Sequence, residues 1–209
     1  MHTIQVLYRP HDFFADLRVH PYLVRRFLFI TLLNFAVILL YAGVSGSRSI
    51  TGEAVQFFGV LPAFLVVSNL VSWGMLSLFI VLASRVLFQD TTPLRSDLKA
   101  TFSVITVAHL IPALASYVAL SVGLLTVSRT DLTLSQHQLL GLDDLLRFVT
   151  QQPQVIAFAE QITVFSLWYL ALLVWGLVTL RGGTRSQALV LAGAVWLLEI
   201  GYQSGLLLG

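Results

Sequence analysis

Long apolar runs dominate the chain, and polar residues collect in the short stretches between them. The runs are Phe27 to Val44, Leu61 to Phe88, Ala100 to Val127, Ile156 to Leu180 and Ala188 to Leu208. A helix advances about 1.5 Å per residue and a bilayer's hydrocarbon core is about 30 Å thick, so runs of this length cross a membrane. The pattern predicts an all-α, polytopic membrane protein with five transmembrane helices in one bundle and short interfacial helices beside them. The run at 61–88 amounts to about 42 Å of helix and must tilt or project beyond the core.

The polar stretches carry the local signals. Residues 1–26 read as a cytoplasmic leader, and 27–208 as the membrane domain. This leader is longer than that of a signal peptide, so the run after it reads as a span and not as a cleaved signal. Within it, Phe13, Phe14 and Leu17 share one helical face opposite Asp12, Asp16 and Arg18. That face suits either a helix lying on the membrane or a leader tucked against the bundle. Pro21 suits the first turn of the entering helix, and Thr92 can cap a helix whose first position is Pro93.

The outer loop, 128–154, contains the capping-box pattern Ser135 to Gln138. Leu142, Leu145, Leu146 and Val149 follow at helical spacing, which predicts a short amphipathic surface helix ended by Pro153. Arg181-Gly182-Gly183 turns the chain, and Thr184 to Gln187 is a second capping box. So short a connection makes the last two spans antiparallel neighbours.

Charge supplies the orientation. With the N-terminus inside, the cytoplasmic flanks hold Arg9, Arg18, Arg25, Arg26, Arg85, Arg95, Lys99, Arg181 and Arg185, leaving only Arg48, Arg129 and Arg147 outside. The excess of basic residues on the cytoplasmic side predicts a cytoplasmic N-terminus and an external C-terminus. A net charge of +2 gives no electrostatic case for nucleic acid. Without cysteine, disulfides, thiolate metal sites and cysteine nucleophiles are excluded.

Three stretches resemble the Yip1 family of five-span membrane proteins, in particular its short bacterial members. They are Arg9 to Phe14 with Pro21, Thr101 to Pro112, and Trp168 to Leu189. The resemblance implies a non-enzymatic role in membrane organisation and a bacterial inner-membrane location. Eukaryotic relatives associate with prenylated GTPases and with each other. This sequence lacks their soluble N-terminal region and its Asp-Leu-Tyr-Gly-Pro motif, so GTPase binding is not carried over. Membrane lipids, a second copy of the chain or another membrane protein remain as partners.

Ionisable groups inside spans are costly and mark candidate sites. Counted along their helices, His109 lies about 24 Å from Pro93 and Glu199 about 22 Å from Thr184, so both occupy one layer. Asn69 and Ser72 reach a similar level from the other direction, and Gln203 lies one turn beyond Glu199. Pro112 removes the amide partner of the Ala108 carbonyl beside His109. The expectation is a buried polar layer of Asn69, Ser72, His109, Glu199 and Gln203, which either ties helices together or serves binding or transport. Glu160 reads as a solvated helix-end carboxylate, and Trp73, Trp168 and Trp196 as packing residues with paired indole N–H groups. Gly201 and Gly205 form a GxxxG pair suited to close helix packing. No metal-ligand spacing, phosphate loop or nucleophile elbow occurs, so no cofactor, metal or catalytic residue is assigned. The two functional expectations are a membrane organiser or scaffold, and a small transporter or channel using His109 and Glu199.

Overall fold

The computed structural model describes residues 3–19, 23–44, 52–89, 93–126, 142, 148–182 and 184–204. Among these, regular structure is helical. After a 3-10 turn at Thr3–Leu7 come α1 (Pro10–Val19), α2 (Leu23–Val44), α3 (Gly52–Phe88) and α4 (Leu94–Ala108). Then follow α5 (Leu110–Thr126), α6 (Pro153–Glu160), α7 (Val164–Arg181) and α8 (Arg185–Gln203). Residues 143–147 of the expected amphipathic surface helix and the caps at Thr92 and Ser135 lie outside the described residues, as does Gly205.

Four stretches are long and apolar enough to cross a membrane: Leu23–Leu40, Val60–Phe88, Leu94–Val122 and Val164–Arg181. The expected fifth span, 188–208, is described only to Ser204, and the described part does not reach that standard. Its helix, α8, opens on Arg185, Ser186 and Gln187 and carries Glu199 and Gln203 near its end, which shortens the apolar run. The Leu94–Val122 stretch is 61% buried, against 22% to 28% for the others, so α4 and α5 form the centre around which the rest pack.

Two of the predicted spans are broken. Pro112 has no N–H for the Ala108 carbonyl, and its ring crowds that oxygen. The backbone flattens at His109, with ψ of −5°, before α5 begins at Leu110. The run expected to be continuous from Ile156 splits at Gln161 to Thr163, because Thr163 is extended and forms a reciprocal capping box with Ser166. Pro153, expected to end the loop segment, also opens α6. Pro93 likewise caps α4 with an extended ψ of 128° rather than sitting in its first turn. The Thr184–Gln187 box and the left-handed Gly182 form as the sequence predicts, and α7 packs on α8.

The leader is tucked in. Phe13 and Phe14 are fully buried, and α1 packs along α7 instead of resting its apolar face on the membrane. A Cβ at Gly176 would stand 2.5 Å from Val104 Cγ1 and 3.0 Å from Phe14 Cε1, so α1, α4 and α7 meet only because position 176 has no side chain. Arg26 is buried, its guanidinium 5.0 Å from the centre of the Phe13 ring.

At the end of the bundle where α4 starts and α7 finishes, Arg181 holds Asp97 in a two-pronged grip. Nε donates to Oδ1 at 2.5 Å and Nη2 to Oδ2 at 2.8 Å, while Nη2 also donates to Ser84 Oγ of α3 at 2.7 Å. Side-chain exposure is 7% for Arg181 and 1% for Asp97, so water contributes little to either charge.

Arg181→Met strands a buried carboxylate and is expected to destabilise the protein by ~3–5 kcal/mol, whereas Arg181→Met with Asp97→Leu recovers much of that loss. Thermal unfolding in detergent reads both variants, and equal destabilisation would contradict the assignment. Gly176→Ala is expected to cost ~1–3 kcal/mol by overpacking and to be relieved in part by Val104→Ala. An unchanged midpoint for Gly176→Ala would refute the close contact.

Candidate functional site

The break at His109 turns its imidazole into the bundle. Nδ1 lies 2.8 Å from the Ile105 carbonyl oxygen, and because a carbonyl only accepts, Nδ1 carries the hydrogen of that bond. Nε2 is thereby directed at Glu199, 3.5 Å from Oε1. A proton between Nε2 and Oε1 makes this contact attractive, while without it two lone pairs would oppose each other. The ring packs against Trp73 on α3, with centroids 4.7 Å apart, and against the edge of Tyr169 on α7 at 5.2 Å.

Beside the pair is a cavity of about 460 Å³. Pro112 and Ser116 line it from α5, Gln161 and Thr163 from the break before α7, and Tyr169 from α7 itself. Glu160 joins from the end of α6, and Trp196, Glu199 and Gln203 from α8. These positions lie at the helix ends opposite the Asp97–Arg181 pair. Toward that pair, Ile105, Ala108, Leu172, Leu173 and Val195 are buried in the apolar core.

Two polar groups around the cavity are buried without a hydrogen bond: the Tyr169 hydroxyl and Trp196 Nε1. Tyr169 is 3% exposed and lies beside Glu199. Unpaired buried donors are uncommon in folded proteins and mark places where a further partner fits. No group of three or more His, Asp or Glu among the described residues has metal-site geometry.

The structure divides the predicted polar layer. His109 and Glu199 meet, and Gln203 lines the same cavity. Asn69 donates instead to Thr31 Oγ1 of α2 at 3.2 Å, and Ser72 is exposed on the outer face of α3. The residue of α3 that reaches His109 is Trp73, one position on from Ser72, because the buried face of α3 runs through Trp73, Ser77, Ile80 and Ser84. Glu160, expected as a separate solvated carboxylate, lines the cavity, and Trp196 lacks the expected N–H partner. Gly201 is buried within α8, and a close helix approach occurs at Gly176 of α7. Tyr169 and the Thr163–Ser166 cap went unrecognised in the sequence. The Thr-x-x-Ser spacing inside an apolar run was the available signal for the cap.

Tyr169→Phe removes a hydroxyl that has no hydrogen bond, so ligand-free stability should stay within about 0.5 kcal/mol of the parent or rise. A thermal midpoint lowered by more than that would indicate a hydrogen bond to Glu199 in the folded protein.

Compared with known proteins, the chain matches the family model of the Yip1 domain over residues 4–206. No curated protein and no solved structure matches it.

Proposed function

Since the chain belongs to the Yip1 domain family and has helices apolar enough to cross a membrane, we propose that it is a non-enzymatic membrane organiser that seats a polar ligand beside His109 and Glu199. In this reading the bundle crosses five times, through α2, α3, α4 with α5, α7 and α8. In this reading the membrane is a bacterial inner membrane, and the excess of basic residues on one side supports a cytoplasmic N-terminus and an external C-terminus. The cavity then opens away from the cytoplasm, because its lining comes from the helix ends opposite Asp97 and Arg181. Its partners are lipids, and a second copy or another membrane protein can pack on the apolar outer faces.

The observation that carries the proposal is one cavity bordered by the His109–Glu199 contact and by two buried donors without partners. A bundle working by packing alone gains nothing from a buried hydroxyl that bonds to nothing, since phenylalanine fills the same volume without the desolvation cost. The second reading, a transporter or channel, is favoured by the contact of two ionisable groups, His109 and Glu199, inside the bundle. Against it stands the packed core between this pair and the other end of the bundle, where Ile105, Ala108, Leu172, Leu173 and Val195 are buried.

The cysteine-free chain allows a direct test in sealed vesicles of known orientation. A membrane-impermeant thiol reagent should label Ser116→Cys and Gln203→Cys from the external side only. Thr106→Cys, at a fully buried position, should be labelled from neither side. Labelling of the first two from both sides would establish a through-path and the transporter reading, while no labelling at all would sink the chamber.

A further inference from the structure

Several polar groups around the cavity already have partners within the fold. Ser116 Oγ donates to the Pro112 carbonyl at 3.0 Å, and Nδ1 of His109 is held by the Ile105 carbonyl. Thr163 and Ser166 bond to each other across the helix break, and Glu199 faces His109. Two lining atoms are both buried and without a hydrogen bond, the Tyr169 hydroxyl and Trp196 Nε1. Tyr169 is 3% exposed, and Trp196 is half-buried with its Nε1 closed off from solvent.

These two residues face one cavity from neighbouring helices at matched depth. Tyr169 lies 12 residues before Arg181 on α7, and Trp196 lies 12 residues after Thr184 on α8. At 1.5 Å per residue both are about 18 Å from the turn that joins these packed helices. An indole N–H only donates, and both groups are uncharged, so their need for an acceptor is the same whatever charge the rim of the cavity carries. No buried side-chain carbonyl or carboxylate oxygen among the described lining residues is left unpaired, so the fold asks for an acceptor and not for a donor. An ester meets that demand, because its carbonyl oxygen has two lone pairs and it brings no N–H or O–H of its own. An amide or an alcohol brings a further donor that would itself need a partner. Apolar wall is supplied by Pro112, Ala115, Phe165 and Ile200.

We propose that the cavity binds the uncharged carbonyl of an acyl ester, with the Tyr169 hydroxyl and Trp196 Nε1 as its donors and the apolar wall taking the acyl chain. The inference rests on the ligand-chamber reading above and names the class of ligand for it. A cavity of about 460 Å³ is of the size that holds a small organic group. His109 and Glu199 stay in contact with each other and wall the site. The ester can belong to a membrane glycerolipid or to a free solute, since the recognising chemistry is the same.

Paired probes that differ only in the carbonyl test this on the full chain in a maltoside detergent, which has no carbonyl itself. Monobutyrin is the soluble ester and glycerol butyl ether its partner; diester and diether phosphatidylcholine form the lipid pair, alike in head group and charge. Within the pair that matches the natural source, the ester should bind about fivefold more tightly than the ether, the value of one neutral hydrogen bond. Selective retention of the diester lipid in native mass spectrometry identifies a bilayer source, and selective binding of monobutyrin alone identifies a solute. The preferred ester should also move the Trp196 indole N–H resonance downfield, a signal identified by its loss in Trp196→Phe. Trp196→Phe and Tyr169→Phe should each weaken ester binding about fivefold and leave the ether unchanged. If neither variant folds, the paired probes and the indole resonance of the parent chain decide. No ester preference in either pair, an unmoved indole resonance, or unchanged ester binding in the folded variants overturns the carbonyl assignment and leaves water as the partner of both donors. The chamber reading fails separately, by unreactive Ser116→Cys and Gln203→Cys.

Discussion

The grip of Arg181 on Asp97 is the constraint on which the rest of the bundle depends. Two charges withdrawn from water are tolerable only if each is matched in sign and in hydrogen-bond geometry. The planar guanidinium meets both carboxylate oxygens and still reaches Ser84, so three helices are fixed at one point. Because α4, α7 and α3 are pinned there, the rotation of each helix about its axis is set along its length. Trp73 and Ser77 face inward on α3 for the same reason that Ser84 does. One end of the bundle therefore helps decide which side chains converge at the other.

Between those ends the helices must approach closely. Gly176 lets α7 lie against Val104 while α1 presses Phe14 into the same spot. Apolar packing between membrane helices gains little from water exclusion and depends on contact, so small residues at crossing points count heavily. The tucked leader follows from this fit. Phe13, Phe14 and Leu17 find a protein surface shaped for them, which competes with lipid for the same apolar face.

The candidate site lies where helical regularity fails. Pro112 interrupts one span beside His109, and the Thr163–Ser166 box restarts another beside Tyr169. Non-helical backbone at membrane depth is tolerated when it is covered by protein or borders a cavity. Here the break exposes the ring of His109 to Glu199, and the other places Gln161 and Thr163 on the cavity wall. The Ile162 carbonyl freed by the second break accepts from the Leu142 N–H, which ties the loop to this end of the bundle.

The sequence by itself determined the apolar crossings, the turn at Gly182, the cap at Thr184 and the depth shared by His109 and Glu199, because each follows from spacing along one helix. It also marked the apolar face of α1 without determining what covers it. Rotation and neighbour choice were decided only in three dimensions. Asn69 and Ser72 lie at the right depth but on the wrong faces, since a helix turns about 100° per residue and depth says nothing of azimuth. The same limit hid the Asp97–Arg181 pair, whose members are far apart in sequence and looked like ordinary charged flanks. Trp196 read as a packing residue and Tyr169 went unrecognised for a related reason: a missing hydrogen-bond partner is a property of the space around a side chain, and only the folded bundle defines that space.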